Sequence, residues 1–234
     1  GLGDVYKRQV LIVDTTTSQL LGTVDSGRAP GTVHPGAVHI HQGRTYLIDE
    51  LDLDDGLALA HPEEPDWTTS ARDITDVSII RVIESEVYGP LTVALVEVDV
   101  THQVVGYLRT LYSGEVLDAV ELDMPRQTLH TRAVMYTLTP ESLESAGIDA
   151  TRLPGSLHAA EHAAIGLLPL VATCDRADIG GLSTDLHPDT GLPTVFVYDG
   201  YLGGAGFGDR GYGAFATWIE ATRAAVAGCE CDSG

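Results

Sequence analysis

The sequence predicts an α+β protein in which a β-rich N-terminal sheet or small barrel is followed by an α/β module. Eight to ten strand-length runs at short spacing lie between residues 10 and 138. Helical patterns begin only after Pro140. Between the predicted helices, the β-branched and aromatic run Thr194–Tyr198 predicts a strand that is buried on both faces. With 44% hydrophobic residues, the chain has enough apolar side chains for a substantial core.

The ends of the chain differ from its middle. Residues 1–9 contain Lys7, the sole lysine, and we expect them to be a non-native tail. We therefore predict a β-rich segment at residues 10–138 and an α/β domain at residues 139–234. The sequence stops at Gly234 in the middle of a cysteine motif, so we expect the domain to be truncated there.

Strand predictions follow from alternating or β-branched runs bounded by turn residues. The runs Val10–Val13 and Leu20–Val24 predict one hairpin, and Gly36–His41 and Thr45–Leu51 predict another. The remaining predicted strands are Leu57–His61, Val77–Glu86, Leu91–Val100, Val104–Tyr112, Val116–Leu122 and Ala133–Leu138.

Three helices are predicted after the strands. Thr139 is a capping residue before Pro140, which suits the first position of a helix. Ser156 is predicted to cap a buried helix that runs through Leu168 and is broken by Pro169. The last helix, Tyr212–Ala227, is predicted to end at Gly228 and to bury a stripe consisting of Phe215, Trp218, Ile219 and Val226.

Composition restricts the partners and the compartment. The net charge of −21 argues against a free-standing protein that binds phosphate backbones. No run of 18 apolar residues or signal peptide is present, so we expect no membrane partner. The odd number of cysteines, three, indicates a reducing compartment such as the cytoplasm, with metal-bound or buried thiols.

The terminal cysteines form the strongest metal motif. Cys229 and Cys231 are one residue apart, and two thiolates at that spacing can share a zinc ion, although a structural site needs four ligands. Cys174 is a candidate third ligand, but a lone cysteine in an apolar segment is more often a core residue. The alternative is that Cys229 and Cys231 are two incidental thiols.

A second candidate site lies on the predicted buried helix. His158, Glu161 and His162 match the H-x-x-E-H pattern, in which two histidines on one helix face bind zinc and the glutamate acts as a base. That chemistry requires a further acidic ligand on another helix, and Glu220 is the only helical candidate downstream. The more ordinary interpretation is a buried helix whose histidines are satisfied locally.

The glycine-rich turn after the buried strand is the third candidate. Asp199, Gly200, Gly203 and Gly204 open a turn, Asp199–Gly206, that could approach a phosphate. It lacks the lysine and the hydroxyl residue of a P-loop, so a packing role is favoured. Contact with a nucleic-acid backbone is the alternative.

Three stretches resemble one family when they are taken together. They are HAAEHAAIGLLPLVATCDRADIGGLS, HPDTGLPTVFVYDGYLGGAGF and the terminal CECDSG. Their order and spacing resemble the C-terminal zinc-binding domain of DEAD/DEAH-box DNA repair helicases of the mitomycin-repair type. The upstream stretches HPGAVHIHQGRTYLIDELDLDD and HQVVGYLR are similar to the segment that precedes this domain, so the resemblance covers about Val10 to Gly234.

The resemblance implies an accessory region of an ATP-driven superfamily-2 helicase that translocates 3′→5′ on DNA during repair. It implies a structural zinc bound by Cys229, Cys231 and two further cysteines beyond Gly234. It also implies RecA-like motor domains in the same polypeptide, which would bind ATP and magnesium. This sequence contains no Walker A motif and no DEAH-type box, so the chain alone is expected not to hydrolyse ATP. The alternatives are a zinc metalloprotease and a protein-interaction module.

Overall fold

The computed structural model describes residues 9–230, which divide into two compact units. The first unit contains the residues up to Ile74 together with His102–Gln127. The second contains Thr75–Thr101 and the residues from Thr128 onward. The mixed α+β class with β-rich sheets is confirmed. The domain boundaries predicted at residues 9 and 138 remain predictions.

A five-stranded sheet forms most of the first unit. Its spatial order is β2-β1-β5-β4-β3, in which β1 and β5 are parallel and the other pairs antiparallel. Both predicted hairpins are confirmed, β1 with β2 and β3 with β4. One face of this sheet buries Val10, Ile12, Leu21 and Ile48. The bounds are β1 Gln9–Asp14, β2 Gln19–Asp25, α1 Ala29–Thr32, β3 Val38–His41, β4 Arg44–Asp52 and β5 Leu57–Pro62.

Two long strands contribute residues to both units. They are β6, Trp67–Tyr88, and β7, Leu91–Leu111. The predicted strands 91–100 and 104–112 are therefore one strand, because β7 runs without a break through residues 101–103. The C-terminal part of β7 pairs antiparallel with β8, Val116–Glu121, within the first unit.

A second sheet carries the predicted buried strand in the second unit. Its strand order is β10-β11-β9-β7-β6, with β9 at Gln127–Leu138, β10 at Ile179–Thr184 and β11 at Thr194–Asp199. β11 lies between β9 and β10 and is antiparallel to both. This position between two neighbouring strands explains why Thr194–Val197 are all buried, as the sequence predicts.

Alternate residues of β11 pack into two different cores. Val195 and Val197 lie in a cluster with the helical residues Leu157, Ile165 and Trp218. Phe196 belongs to a separate cluster of strand residues. Because successive side chains of a strand point to opposite faces, the sheet is covered on both sides.

The helices of the second unit differ in part from the predictions. Their bounds are α2 Pro140–Ser145, α3 Leu153–Leu167, α4 Phe207–Gly213 and α5 Phe215–Ala227, with 3-10 turns at Leu168–Leu170 and Arg176–Asp178. Thr139 caps α2 as predicted, since its hydroxyl accepts the Ser142 N–H at 3.2 Å. Ser156 does not cap α3, which begins at Leu153 with a proline in its first turn. The helix α4 was not predicted.

The buried stripe of α5 also differs at one end. Phe215 and Trp218 are 6% and 2% exposed, as predicted. Val226 is 54% exposed, so its predicted burial is wrong. Thr222, one turn earlier, is buried instead and donates its hydroxyl hydrogen to the Trp218 carbonyl at 2.8 Å.

None of the helices in residues 9–230 combines the length and the apolar character needed to cross a membrane.

Candidate functional site

Helix α3 brings His158, Glu161 and His162 together. Positions i, i+3 and i+4 lie on one face of a helix, and the sequence spacing alone therefore predicts this juxtaposition. The helix is held in place by Leu157 and Ile165, which are buried in the core on the same side as Glu161. The helix ends at Leu167, one residue before the predicted end, and the 3-10 turn Leu168–Leu170 that follows contains Pro169.

The potential ligand atoms of the three side chains all lie within 4.8 Å of one another. The imidazole rings of His158 and His162 are edge to face, with centroids 4.3 Å apart and planes at 76°. His158 Nδ1 lies 3.6 Å from Glu161 Oε2. Both histidines are exposed, whereas Glu161 is only 6% exposed. The cluster therefore lies at the rim of the core, open to solvent on the histidine side.

Glu161 occupies space that a glycine of β10 leaves free. A Cβ atom on Gly181 would lie 2.6 Å from Glu161 Oε1, which is closer than atoms tolerate. The Tyr136 hydroxyl is also buried and has no hydrogen-bond partner among residues 9–230. Burial raises the pKa of Tyr136, and the negative charge of Glu161 raises it further. The sequence does not predict that Gly181 and Tyr136 lie near this cluster, because the pairing of their strands with β11 places them there.

The protease pattern lacks its second acidic ligand. Glu220 on α5 has a side chain that is 61% exposed and accepts from Arg223 Nε at 3.0 Å. Within residues 9–230, His158, Glu161 and His162 are the only group of three or more such side chains able to share an ion, and Glu220 is not among them. The structure thus brings together the helical motif but not the additional ligand that the protease chemistry needs.

The turn after β11 is tied to its own surroundings. Asp199 is fully buried, and its Oδ2 accepts the Gly208 N–H at 3.2 Å. Burial raises the pKa of Asp199, against the lowering effect of backbone N–H donors. The Thr131 hydroxyl contacts the carbonyl oxygens of Asp199 and Tyr201, each at 2.9 Å. These contacts support a packing role for the turn.

Different positions of this turn require glycine for different structural reasons. Gly203 and Gly204 have φ angles of 77° and 80°, in the left-handed region that side chains disfavour. Gly200 donates its N–H to the Asp178 carbonyl at 2.8 Å, and a Cβ atom at Gly200 would lie only 2.9 Å from that oxygen. Asp178 was not predicted as a partner, because it approaches the turn through β10. A nucleic-acid contact at Asp199, Gly200, Gly203 and Gly204 remains a prediction.

We expect Gly200→Ala to lower the free energy of unfolding by about 1–3 kcal/mol, the usual cost of overpacking. The clash is with a backbone oxygen, which cannot rotate away. Gly213→Ala is the matched control, because no atom lies within 4 Å of the added Cβ. Urea unfolding followed by circular dichroism measures both. A Gly200→Ala protein that is as stable as the control would contradict the packing role.

The cysteines are far from equivalent. Cys174 is a half-buried free thiol that packs against the helical core, and burial raises its pKa, followed by the negative charges of Asp178 and Asp199. Cys229 is exposed immediately after α5, and Cys231 lies outside the described residues. The described residues therefore do not complete a thiolate zinc site, which needs four ligands.

Comparison with known proteins places this geometry in a family context. The model of the MrfA Zn-binding domain family matches residues 160–234. Three curated relatives are ATP-dependent helicases. YprA of Bacillus subtilis is 24% identical over the whole chain, and Hrq1 of Schizosaccharomyces pombe and HRQ1 of Saccharomyces cerevisiae are 26% and 28% identical over 72% of it. The chain spans 31% of YprA and 16% of each yeast protein.

Solved structures share the fold. The structure titled as DUF1998 helicase MrfA bound to DNA superposes with a TM-score of 0.75 over 97% of this chain, at 23% identity, and the chain covers 30% of it. A second MrfA structure, with DNA and AMPPNP, has a TM-score of 0.65. The predicted resemblance is thereby confirmed. Residues 160–234 of this chain match the model of the MrfA Zn-binding domain family, and the chain as a whole is similar to one region of these ATP-dependent helicases.

Proposed function

We propose that this chain is an accessory region of an ATP-dependent superfamily-2 DNA helicase that acts in DNA repair in the cytoplasm. The observation that carries the proposal is the family match at residues 160–234, together with helicase relatives that align to the whole chain or most of it. The fold supports it, since the similar MrfA structures contain DNA. RecA-like motor domains of the same polypeptide, which bind ATP and magnesium, are the proposed intramolecular partners.

The proposed zinc role is structural. Closed thiolate sites contribute folding free energy and leave no coordination position for chemistry. Cys229 directly follows α5, and α5 is joined to α3 because the Trp218 Nε1–H donates to the Ala164 carbonyl at 2.8 Å. A zinc ion held by Cys229, Cys231 and further cysteines would fix the segment that leaves this helix. Direct DNA binding by this region alone is opposed by its net charge of −21.

A domain replacement tests the proposal. In B. subtilis YprA, the region similar to this chain is deleted or replaced by residues 10–234. We expect the replacement protein to have a higher ATP-dependent DNA-unwinding activity than the deletion protein, because the proposed accessory region supports the motor domains. The same replacement with both Cys229→Ser and Cys231→Ser should unwind less. A folded chimera, shown by circular dichroism, that unwinds no better than the deletion would contradict the accessory role.

The metalloprotease is retained as an alternative because the two histidines and Glu161 do converge on α3. Peptidase activity in the isolated chain that disappears in Glu161→Gln would favour it. A protein-interaction module is the other alternative. Weak DNA binding that does not change with salt, in the helicase carrying this region, would favour that function.

A further inference from the structure

We propose that His158, Glu161 and His162 form a second site, which binds a divalent transition-metal ion of the zinc type. This site is separate from the cysteine site of the proposed function. Its first support is convergence, because nitrogen and oxygen donors from one helix face already lie within 4.8 Å of one another. Tetrahedral ligands of one zinc ion, each about 2.0–2.2 Å from it, lie about 3.3–3.6 Å apart, so the donors must approach by up to about 1.5 Å. Small rotations of two exposed imidazoles supply the difference.

The burial of Glu161 is the second and independent support. A carboxylate that is 6% exposed needs a compensating partner, because removing its charge from water is unfavourable. In residues 9–230, the one recorded ion pair of Glu161 is with His158, at the long distance of 3.6 Å. The nearby Tyr136 hydroxyl has no hydrogen-bond partner in the same residues. A cation between Glu161 and the two histidines would neutralise the buried charge.

The donor set indicates the class of ion. The two imidazole nitrogens are borderline ligands, so together with one carboxylate oxygen they favour zinc and its neighbours over magnesium or calcium. Three protein ligands leave at least one coordination position for water or for a group from outside. The exposed histidines, of which His158 has a side chain 66% exposed, place that position on the solvent side.

The helix geometry predicts how the ion enters and what it stabilises. The histidines lie at i and i+4, so binding joins successive turns of α3 without moving the backbone. Glu161 contributes from the buried side, where Gly181 leaves it room. The ion would therefore join the exposed face of α3 to the edge of the core beside β10.

Metal binding to the chain of residues 1–234 in which both Cys229→Ser and Cys231→Ser remove the thiolates tests the proposal directly. Zn²⁺ alone is the calorimetric probe, and Co²⁺ alone is the spectroscopic probe. We expect one Zn²⁺ per chain and a Co²⁺ spectrum of nitrogen and oxygen ligands without thiolate charge-transfer bands. Adding His162→Gln should weaken Zn²⁺ binding at least about tenfold, on the order of known losses when metal sites are perturbed.

The control is His130→Gln in the same background, which carries Cys229→Ser and Cys231→Ser. His130 is a comparably exposed histidine of the same unit, whose Nδ1 lies 2.9 Å from Asp99. We expect this change to leave Zn²⁺ affinity unaltered. Absence of Zn²⁺ binding in the Cys229→Ser, Cys231→Ser chain would overturn the proposal, as would equal affinities of the His162→Gln and His130→Gln proteins. Circular dichroism confirms folding, and because unwinding is not measured, failure of the helicase proposal would not affect the result.

Discussion

Trp218→Ala is expected to lower the free energy of unfolding of the second unit by about 3–5 kcal/mol, the range for removing a large buried aromatic side chain. The Trp218 side chain is 2% exposed and lies in the core between the helices and the sheet. Its ring stacks edge to face on Phe215, with centroids 6.1 Å apart. The substitution creates a cavity between α3 and α5 and removes the Trp218 Nε1–H from the Ala164 carbonyl, which still accepts the Leu168 N–H. Urea unfolding followed by far-ultraviolet circular dichroism measures the loss.

Two further substitutions separate the contributions. Trp218→Phe keeps most of the apolar volume and removes the Nε1–H that donates to Ala164, so we expect a smaller loss of about 1–3 kcal/mol. Val226→Ala lies on the same helix at a position 54% exposed, and its effect should stay within about 0.5 kcal/mol. A Trp218→Ala protein that unfolds at the same urea concentration as Val226→Ala would contradict the packing of α5 described here.

Phe196→Ala is expected to have an effect of similar size on the other face of the sheet. Phe196 is fully buried on β11, opposite Met135 of β9 and Leu182 of β10. Its ring contacts the imidazole of His187 edge to face, with centroids 4.9 Å apart. His187 is itself buried and bonds through Nε2 to the Val77 carbonyl at 2.8 Å. The cavity would therefore loosen a buried polar contact, and we expect a loss of about 3–5 kcal/mol.

A conservative substitution of Phe196 and a substitution at an exposed position are the controls for the stability of Phe196→Ala. Phe196→Leu retains much of the volume, and we expect it to cost less than about 1.5 kcal/mol. Leu202→Ala lies in the following turn at a position 63% exposed and should be nearly neutral. Equal stabilities of Phe196→Ala and Leu202→Ala in the same urea titration would contradict the burial of Phe196 between β9 and β10.

Local signals were sufficient for some elements of the fold. β11 is predictable because Thr194–Tyr198 is uninterrupted by polar or turn residues, as a strand covered on both faces should be. Thr139 and Pro140 predict the start of α2, since capping and a fixed φ angle act within a few residues. The convergence of His158 and His162 is predictable for the same reason, because helical spacing determines it.

Two elements that the sequence analysis did not predict, α4 and β10, contain glycines that weaken their local patterns. The helix α4 contains three glycines, which disfavour a helix, yet tertiary packing overrides propensity. A Cβ atom at Gly211 would lie 3.0 Å from Leu168 Cδ1 and 3.1 Å from Trp218 Cζ3, so the close approach of α4 requires this residue. Gly181 likewise weakens the local strand pattern of β10, and its missing side chain leaves room for Glu161. Such long-range contacts leave no local pattern, so the burial of Glu161 could not be predicted.

The passage of β6 and β7 through both units has a consequence for how this region can be inherited or divided. Each unit is assembled from two separate stretches of chain, so no single cut in the polypeptide releases either one intact. The stretch of residues 160–234 that matches the family lacks β9, and without β9 one edge of β11 would expose unpaired N–H and C=O groups. Transfer of this region from one protein to another during evolution therefore requires the interleaved segments to move together as one block.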